Sequence, residues 1–346
     1  MSQNRNLHKA KSNKKDEFYT QLSDIENELR HYRDHFQGKV VYCNCDDPYV
    51  SNFFTYFSRN FDLLGLKRLV TTCYKNQQMD MFSQHDAERA IYLEYDGTRN
   101  ATGVPSVNEI GVHPLSGDGD FRSAECIELL KYADIVVTNP PFSLFREYVA
   151  QLVEYDKQFI IIGDKNAITY KEIFPLIKAG KLWVGYKTMS GGLYMDVPDH
   201  YVEEIKANYG KGSYKIFDGT LKMFARAMWY TNLWHKRRHE ELILYKRYSP
   251  EEYPHYDNYD AIEVSKTKEI PMDWDGAMGV PISFLDKHNP EQFEILGMDR
   301  PIMTKLTGKV SRFWLGGTEK FARIVIRNKR LQARPTTPCE WLRPPR

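Results

Sequence analysis

The residues of this 346-residue sequence whose types and spacing most clearly suit a chemical reaction are Asn139, Pro140, Pro141 and Phe142. They follow the apolar run 134–138 (DIVVT), which predicts a buried strand. The Asn139 side chain and the Pro140 backbone each offer a carbonyl oxygen, and proline has no N–H group that would compete. Two such acceptors can bind both N–H groups of an aromatic amine, so that its lone pair points toward an incoming methyl group.

Phe142 adds a flat ring on which a base extruded from a nucleic-acid helix can stack. The two successive prolines stiffen the loop and limit its reorganisation in the transition state. The sequence therefore predicts methyl transfer to an amino group, with Asn139, Pro140 and Phe142 as catalytic residues. A simple strand-to-turn junction is the alternative, since Asn-Pro commonly forms turns.

The elements around this motif predict a doubly wound α/β domain. A helix is expected at 22–36, with Ser23 and Glu26 spaced as a capping box. Strands and helices then alternate, which predicts a mostly parallel sheet with helices on both faces and ligands beyond the carboxyl ends of the strands. The strands are predicted at 39–44, 68–73, 90–95, 134–138, 158–163, 181–186, 228–232 and, less regularly, 242–245.

Charge is distributed unevenly, although the formal net charge is only +2. Residues 1–15 carry five Lys or Arg and no acid, and residues 300–346 carry twelve Lys or Arg and two acids. An acidic body with basic ends fits a polyanion that is held by those ends. The alternative is that both basic stretches are simply solvated.

Hydropathy and cysteine content narrow the class of protein. No apolar run approaches the ~18–20 residues of a membrane span, and residues 1–15 lack the apolar core of a secretory signal. The five cysteines form no CxxC pair, which predicts reduced thiols and no metal site, with Cys43 and Cys45 on one face of a strand. We expect a cytoplasmic protein without membrane or metal.

The segment 138–142 (TNPPF) resembles the NPP[YF] motif of the amino-methyltransferases, and the whole chain resembles the EcoRI-type adenine-specific modification methylases. The resemblance implies a Rossmann-like domain that uses S-adenosyl-L-methionine (AdoMet), double-stranded DNA as substrate, N6-methyladenine as product and a monomeric enzyme. The shared stretches are 16–21 (DEFYTQ), 41–48 (VYCNCDDP), 117–123 (GDGDFRS), 138–142 (TNPPF), 229–233 (WYTNL) and 279–285 (GVPISFL).

The resemblance also implies which residues bind AdoMet. Phe18, Tyr19 and Thr20 resemble the segment that cradles its methionine part. Asp120 and Phe121 resemble the pair that binds its adenine, the carboxylate through the amine and the ring by stacking.

The first strand ends in Asn44, Asp46 and Asp47, where most relatives of this fold carry a glycine-rich turn. One of these three side chains is expected to accept from the methionine ammonium, and the sequence leaves open which.

We expect three parts: a flexible basic arm (1–15), a catalytic domain (16–250) and a DNA target-recognition region (251–346). A second basic cluster, 235–239 (HKRRH), is either a phosphate contact or a helix surface. The basic residues expected to contact DNA are Arg312, Lys320, Arg323, Arg327, Lys329 and Arg330.

The predicted function is site-specific N6-methylation of a flipped-out adenine by a bacterial or phage-encoded enzyme. It acts either with a restriction endonuclease of the same site or as an orphan methylase. The alternatives are N4-cytosine methylation, for which Ser at position 139 would be expected, glutamine methylation of a protein, and a DNA-binding module with an inactive site.

Overall fold

The computed structural model describes residues 19–74, 90–101, 103–189, 191–197, 202–210 and 212–331. The chain divides into two compact units between His235 and Lys236, ahead of the boundary predicted at residue 250. The predicted basic arm lies outside the described residues. Within the described ranges, no helix is long and apolar enough to cross a membrane.

The first unit combines helices with two sheets. Its helices are α1 (Leu22–Leu29), α2 (Asn52–Arg59), α3 (Phe61–Leu64), α4 (Val107–Ile110), α5 (Ala124–Tyr132), α6 (Phe145–Glu154), α7 (Phe174–Lys178) and α8 (Val202–Asn208). Its strands are β1 (Tyr19–Thr20), β2 (Val40–Cys43), β3 (Arg68–Cys73), β4 (Ile91–Tyr95), β5 (His113–Pro114), β6 (Ile135–Thr138), β7 (Gln158–Asp164), β8 (Trp183–Val184), β9 (Leu193–Asp196), β10 (Tyr214–Phe217), β11 (Thr220–Ala225) and β12 (Ala227–Thr231).

The larger sheet has eight strands in the order β5-β4-β3-β2-β6-β7-β12-β8. Its four central strands, β3, β2, β6 and β7, are mutually parallel. Every residue of β2 and β6 is buried, as expected for strands that are covered on both faces. The predicted α/β fold is therefore confirmed.

The direction of β4 differs from the parallel arrangement that the alternation predicts. This strand pairs antiparallel with β3, with Cys73 opposite Ile91. Its carboxyl end therefore lies at the edge of the sheet away from the ends of β2, β3 and β6. There Arg68 forms ion pairs with Glu94 and Asp96, at 3.2 and 3.5 Å.

A smaller antiparallel sheet, in the order β1-β9-β11-β10, has no counterpart among the predicted elements. Tyr19 lies opposite Asp196 and Thr20 opposite Met195, so the segment expected to bind the cofactor becomes an edge strand of this sheet. The Gln21 side chain strengthens the connection by donating to the carbonyl of Tyr194.

Two local predictions were wrong. The residue that precedes α1 is Gln21 and makes no side-chain cap, so Ser23 and Glu26 lie inside the helix and form no capping box. Residues 242–245 form no strand; only Lys246 makes an isolated bridge, to Pro271.

The second unit is built on a five-stranded sheet, although its sequence shows little periodicity. The sheet order is β13-β14-β15-β19-β16, and a separate ribbon consists of β17 and β18. The elements are β13 (His255–Tyr256), β14 (Tyr259–Glu263), β15 (Met278–Pro281), β16 (Phe293–Met298), α9 (Asp299–Thr307), β17 (Trp314–Leu315), β18 (Thr318–Glu319) and β19 (Arg323–Asn328).

Candidate active site

The Asn-Pro-Pro-Phe loop begins directly at the carboxyl end of β6. Because β6 lies between the parallel strands β2 and β7, this loop starts at the centre of the sheet edge. Asn139 is half-buried and Pro140 is buried. Phe142 opens a short 3-10 turn, with its ring partly packed against the core.

Asn44 stands at the neighbouring strand end and is fixed from two sides. Thr138, the last residue of β6, donates to its backbone carbonyl. The buried hydroxyl of Tyr148 on α6 donates to its side-chain oxygen. Asn44 is thus held by the strand and the helix that flank the Asn-Pro-Pro-Phe loop. Tyr148 was not predicted, although it lies on the helix that follows the motif.

In the turn after Asn44, Cys45 has a φ of 58°, which lies in the left-handed region. Such a backbone conformation is strained for a residue with a Cβ atom, and strain of this kind tends to occur at functional sites. The turn is closed by the Asp46 N–H, which donates to the carbonyl of Thr72 on β3 at 2.9 Å. The Asp46 carboxylate accepts from Ser51, which caps the N-terminus of α2.

Thr20 is buried and is hydrogen-bonded to the start of α2. The Asn52 amide there donates to the Thr20 carbonyl at 2.8 Å, one residue after Ser51, which binds Asp46. Tyr19 is the neighbour of Thr20 in β1. Phe18 lies outside the described residues.

Asp120 and Phe121 are held at the end of β3 by a close backbone approach. A Cβ atom added at Gly119, where φ is +76°, would collide with the carbonyl of Cys73. Only glycine lets this loop lie so near the strand end. The Phe121 ring is buried, with its centroid 5.1 Å from that of Tyr148 in an edge-on contact.

Arg122 sets the charge state of Asp120. Its guanidinium and backbone donate three hydrogen bonds, of 2.7–2.9 Å, to the two oxygens of the half-buried Asp120 carboxylate. The hydrogen bond with Arg122 lowers the pKa of Asp120 and outweighs the effect of burial. Asp120 therefore presents an ionised acceptor near the ends of β2 and β3.

The residues expected to contact DNA differ in their exposure and in the ion pairs that they form within the second unit. Arg323 is largely buried and donates to Glu263, and Arg312 pairs at 3.2 Å with the buried Asp299. Arg327, Lys329 and Arg330 are exposed, and Lys320 is half-exposed. Arg327 and Arg330 form distant ion pairs, at 4.0 Å, with Glu294 and Glu241.

The basic cluster 235–239 is only partly exposed. His235 and Arg238 are buried, and burial lowers the pKa of Arg238 to about 10. Among the described residues, no three His, Cys, Asp or Glu side chains converge as metal ligands do.

A centrally parallel α/β sheet, an Asn-Pro-Pro-Phe loop at a middle strand and acceptors at the adjoining strand ends define an amino-methyltransferase. The profile of the family "Adenine-specific methyltransferase EcoRI" matches residues 6–329. The chain belongs to this family and is an adenine-specific DNA methyltransferase, which decides against cytosine or protein glutamine as the target.

Curated relatives agree with this assignment. The chain is 50% identical to the type II methyltransferase M.EcoRI of Escherichia coli over 95% of this chain and 98% of that protein. It is 38% identical to the type II methyltransferase M.MpnI of Mycoplasma pneumoniae over 93% and 98% of the two chains. No solved structure matches the chain.

Asp120→Ala should weaken AdoMet binding roughly tenfold or more, because a hydrogen bond to a charged group contributes about 1.5–3 kcal/mol. Asp120→Asn keeps one carbonyl acceptor and should lose less. Titration calorimetry with AdoMet measures both. Glu147→Ala is the matched control, since Glu147 binds Arg122 at 2.8 Å without touching Asp120. Unchanged affinity in Asp120→Ala would rule out the cofactor role.

Proposed function

We propose that this protein transfers a methyl group from AdoMet to N6 of an adenine flipped out of double-stranded DNA. The observation that carries the proposal is the adjacency of the Asn139 loop and the Asn44 turn at the carboxyl ends of two neighbouring parallel strands. This edge is where ligands of such sheets bind. It brings the acceptors for an amine next to the residues expected to hold the methyl donor.

The residues at this edge fit AdoMet, which supplies an electrophilic methyl group on a sulfonium. Thr20 and the turn at 45–47 form the end for the methionine part, and Asp120 forms the end for the adenine amine. The Asn44 side chain is buried and neutral, and its oxygen accepts from Tyr148. The Asp46 and Asp47 carboxylates are half-exposed, which favours one of them as the acceptor for the cofactor ammonium.

The catalytic step needs orientation and charge stabilisation more than a base. The Asn139 side-chain oxygen and the Pro140 carbonyl accept from the two N6 hydrogens, so the nitrogen lone pair turns out of the ring plane toward the methyl group. Positive charge grows on N6 as the nitrogen–carbon bond forms and the bond between the methyl group and the donor sulfur breaks, with the electron pair staying on sulfur; both oxygens would stabilise this charge. One N6 proton then leaves to solvent.

DNA recognition is assigned to the second unit and to the basic stretch that ends it. We assign phosphate contacts first to Lys320, Arg327, Lys329 and Arg330. Arg312 and Arg323 position this surface through their ion pairs with buried acids. We further propose that the enzyme acts as a monomer in the cytoplasm, with a restriction endonuclease of the same site as its counterpart.

Phe142→Ala should weaken capture of the flipped base by about 1–3 kcal/mol, the value of one base–aromatic stack. Phe142→Tyr should preserve capture. Phe142→Leu is the matched control, because it fills the core contact without offering a ring. The readout is the fluorescence of 2-aminopurine placed at the target, which rises when the base leaves the helix. Equal fluorescence in wild type, Phe142→Leu and Phe142→Ala would contradict stacking on this ring.

The function itself is tested by long-read sequencing of DNA from cells that express the protein. We expect N6-methyladenine at one sequence context, and no mark in cells that express Asn139→Ala. N4-methylcytosine, or unmodified DNA from wild-type cells, would overturn the proposal.

A further inference from the structure

The second unit carries an exposed ribbon that the proposed chemistry does not use. Strands β17 and β18 pair with Trp314 opposite Glu319 and Leu315 opposite Thr318. They are joined by Gly316 and Gly317, with φ values of 55° and 74°. Two successive left-handed residues are what a tight two-residue hairpin turn requires. A ribbon of two strands is marginally stable by itself, so other contacts must hold it in place.

Asp257 and Asn258, in the turn between β13 and β14, hold this ribbon. The two oxygens of the Asp257 carboxylate accept from the N–H groups of Gly316 and Gly317, at 3.1 and 2.9 Å. The Asn258 side chain accepts from the N–H of Trp314 at 3.0 Å. The tip of the ribbon is therefore ordered before any partner arrives.

Large exposed apolar side chains lie in the ribbon and in the residues that precede and follow it in the sequence. Phe321 is 87% exposed, Val310 77%, Leu306 64% and Trp314 39%. In contrast, the adjacent Phe313 is fully buried. A group of exposed apolar side chains in one segment indicates an interaction surface.

The charge of the same segment identifies the chemistry of the partner. Residues 300–322 contain five Lys or Arg and one acid, Glu319. Lys305 and Lys309 are exposed, on α9 and on the loop that follows it. Apolar and aromatic side chains beside lysines match a polyanion that also presents flat or methylated surfaces, as DNA does.

We propose that the ribbon 314–319 enters the major groove of the substrate duplex and reads its sequence, with Trp314 and Phe321 making apolar contacts to bases. This groove is about 12 Å wide and admits a two-stranded ribbon. The glycine tip has no side chains, so its backbone can approach the base edges closely. Asp257 is a positioning residue for the ribbon. The proposal rests on the proposed function, because it names the element that selects the DNA site.

The test compares methylation of the cognate duplex with that of duplexes changed at one base pair. Phe321→Ala and Trp314→Ala should each reduce the ratio of the two rates about tenfold, since one mismatched base pair typically lowers specific binding by that order. Asp257→Ala should reduce it as well, and Asp257→Asn, which keeps one acceptor oxygen, should reduce it less. Thermal unfolding of each variant shows whether the unit is intact.

Two controls make the result specific. Ile243→Ala removes another exposed side chain of this unit, 83% exposed, and should leave the ratio unchanged. The triple change of Arg327, Lys329 and Arg330 to Ala should lower the salt dependence of binding without altering the ratio, because phosphate contacts carry no sequence information.

Wild-type discrimination in Phe321→Ala and Trp314→Ala would overturn the ribbon's role while leaving the proposed function intact. If instead these variants convert a dimer into a monomer in sedimentation and keep discrimination, the surface is a contact between protein copies. If the wild-type protein methylates no adenine in DNA, the proposed function itself fails.

Discussion

Asn139→Ala should lower the rate of methyl transfer by about 10²–10³, the usual cost of removing one group that stabilises a transition state. The loss is expected in the chemical step because the proposed contact of Asn139 with the target amine strengthens as positive charge develops on nitrogen. Binding of AdoMet and of DNA should stay close to wild type, since the interaction is stronger in the transition state than in the ground state.

Single-turnover kinetics with labelled AdoMet measures this step directly. Asn139→Asp keeps an acceptor oxygen at the same position and should retain more activity than Asn139→Ala. Thr138→Val is a useful companion, because it removes the hydroxyl that donates to the Asn44 carbonyl and leaves the Asn139 amide in place. A wild-type rate in Asn139→Ala would place the active site elsewhere.

Glu263→Ala should destabilise the second unit by about 3–5 kcal/mol, the range measured when one partner of a buried ion pair is removed. The Glu263 side chain is 3% exposed and that of Arg323 12%. Arg323 donates to Glu263 from Nε at 3.0 Å and from a terminal nitrogen at 2.6 Å, and Tyr256 donates to the same carboxylate. Without Glu263, the Arg323 charge stays buried without compensation.

Urea unfolding at neutral pH checks this value, and Glu263→Gln should cost less because it still accepts one hydrogen bond. A loss below about 1 kcal/mol would show that the buried pair contributes no more than an exposed one does.

The same pair predicts how stability depends on pH. Burial raises the pKa of Glu263, but hydrogen bonds from Arg323 and Tyr256 outweigh burial and lower the pKa overall. A lowered pKa stabilises the folded state fully above the unfolded-state value of about 4.3, and this stabilisation is lost as the pH falls through the lowered pKa. The difference between wild type and Glu263→Gln should therefore be largest near neutral pH and shrink in acid.

The central part of the first unit was predictable from sequence because its signals are local. Strands β2, β6 and β7 are continuous apolar runs, as buried parallel strands are. Asn139 and Asn44 follow two of them directly, so their convergence follows from parallel pairing alone. The position of Asp120 could be predicted only from the resemblance to the family, because it depends on the close fit of Gly119 against Cys73 at the end of β3.

The remaining structure depends on contacts between distant residues that no local pattern records. The sequence of β4 does not specify whether this strand runs parallel or antiparallel to β3. Two-residue strands such as β1 and β17 are too short to produce a period. Glu263 and Arg323 lie 60 positions apart in the sequence. Each is a charged residue of a type that is usually exposed, so neither by itself predicts a buried ion pair.

The pairing of β1 has a consequence for the order in which the protein acquires activity during synthesis. As the edge strand of its sheet, β1 hydrogen-bonds to β9, and the supporting contact from Gln21 to Tyr194 spans 173 residues. The entropic cost of closing a loop rises only slowly with its length, but pairing between residues so far apart in sequence is slow compared with local pairing. A nascent chain in which β2, β3, β6 and β7 have already formed their sheet still lacks the pairing of Thr20 with Met195 until β9 has left the ribosome. Under the role proposed for Thr20, we expect the incomplete polypeptide not to bind its methyl donor and not to modify DNA until the second sheet has closed.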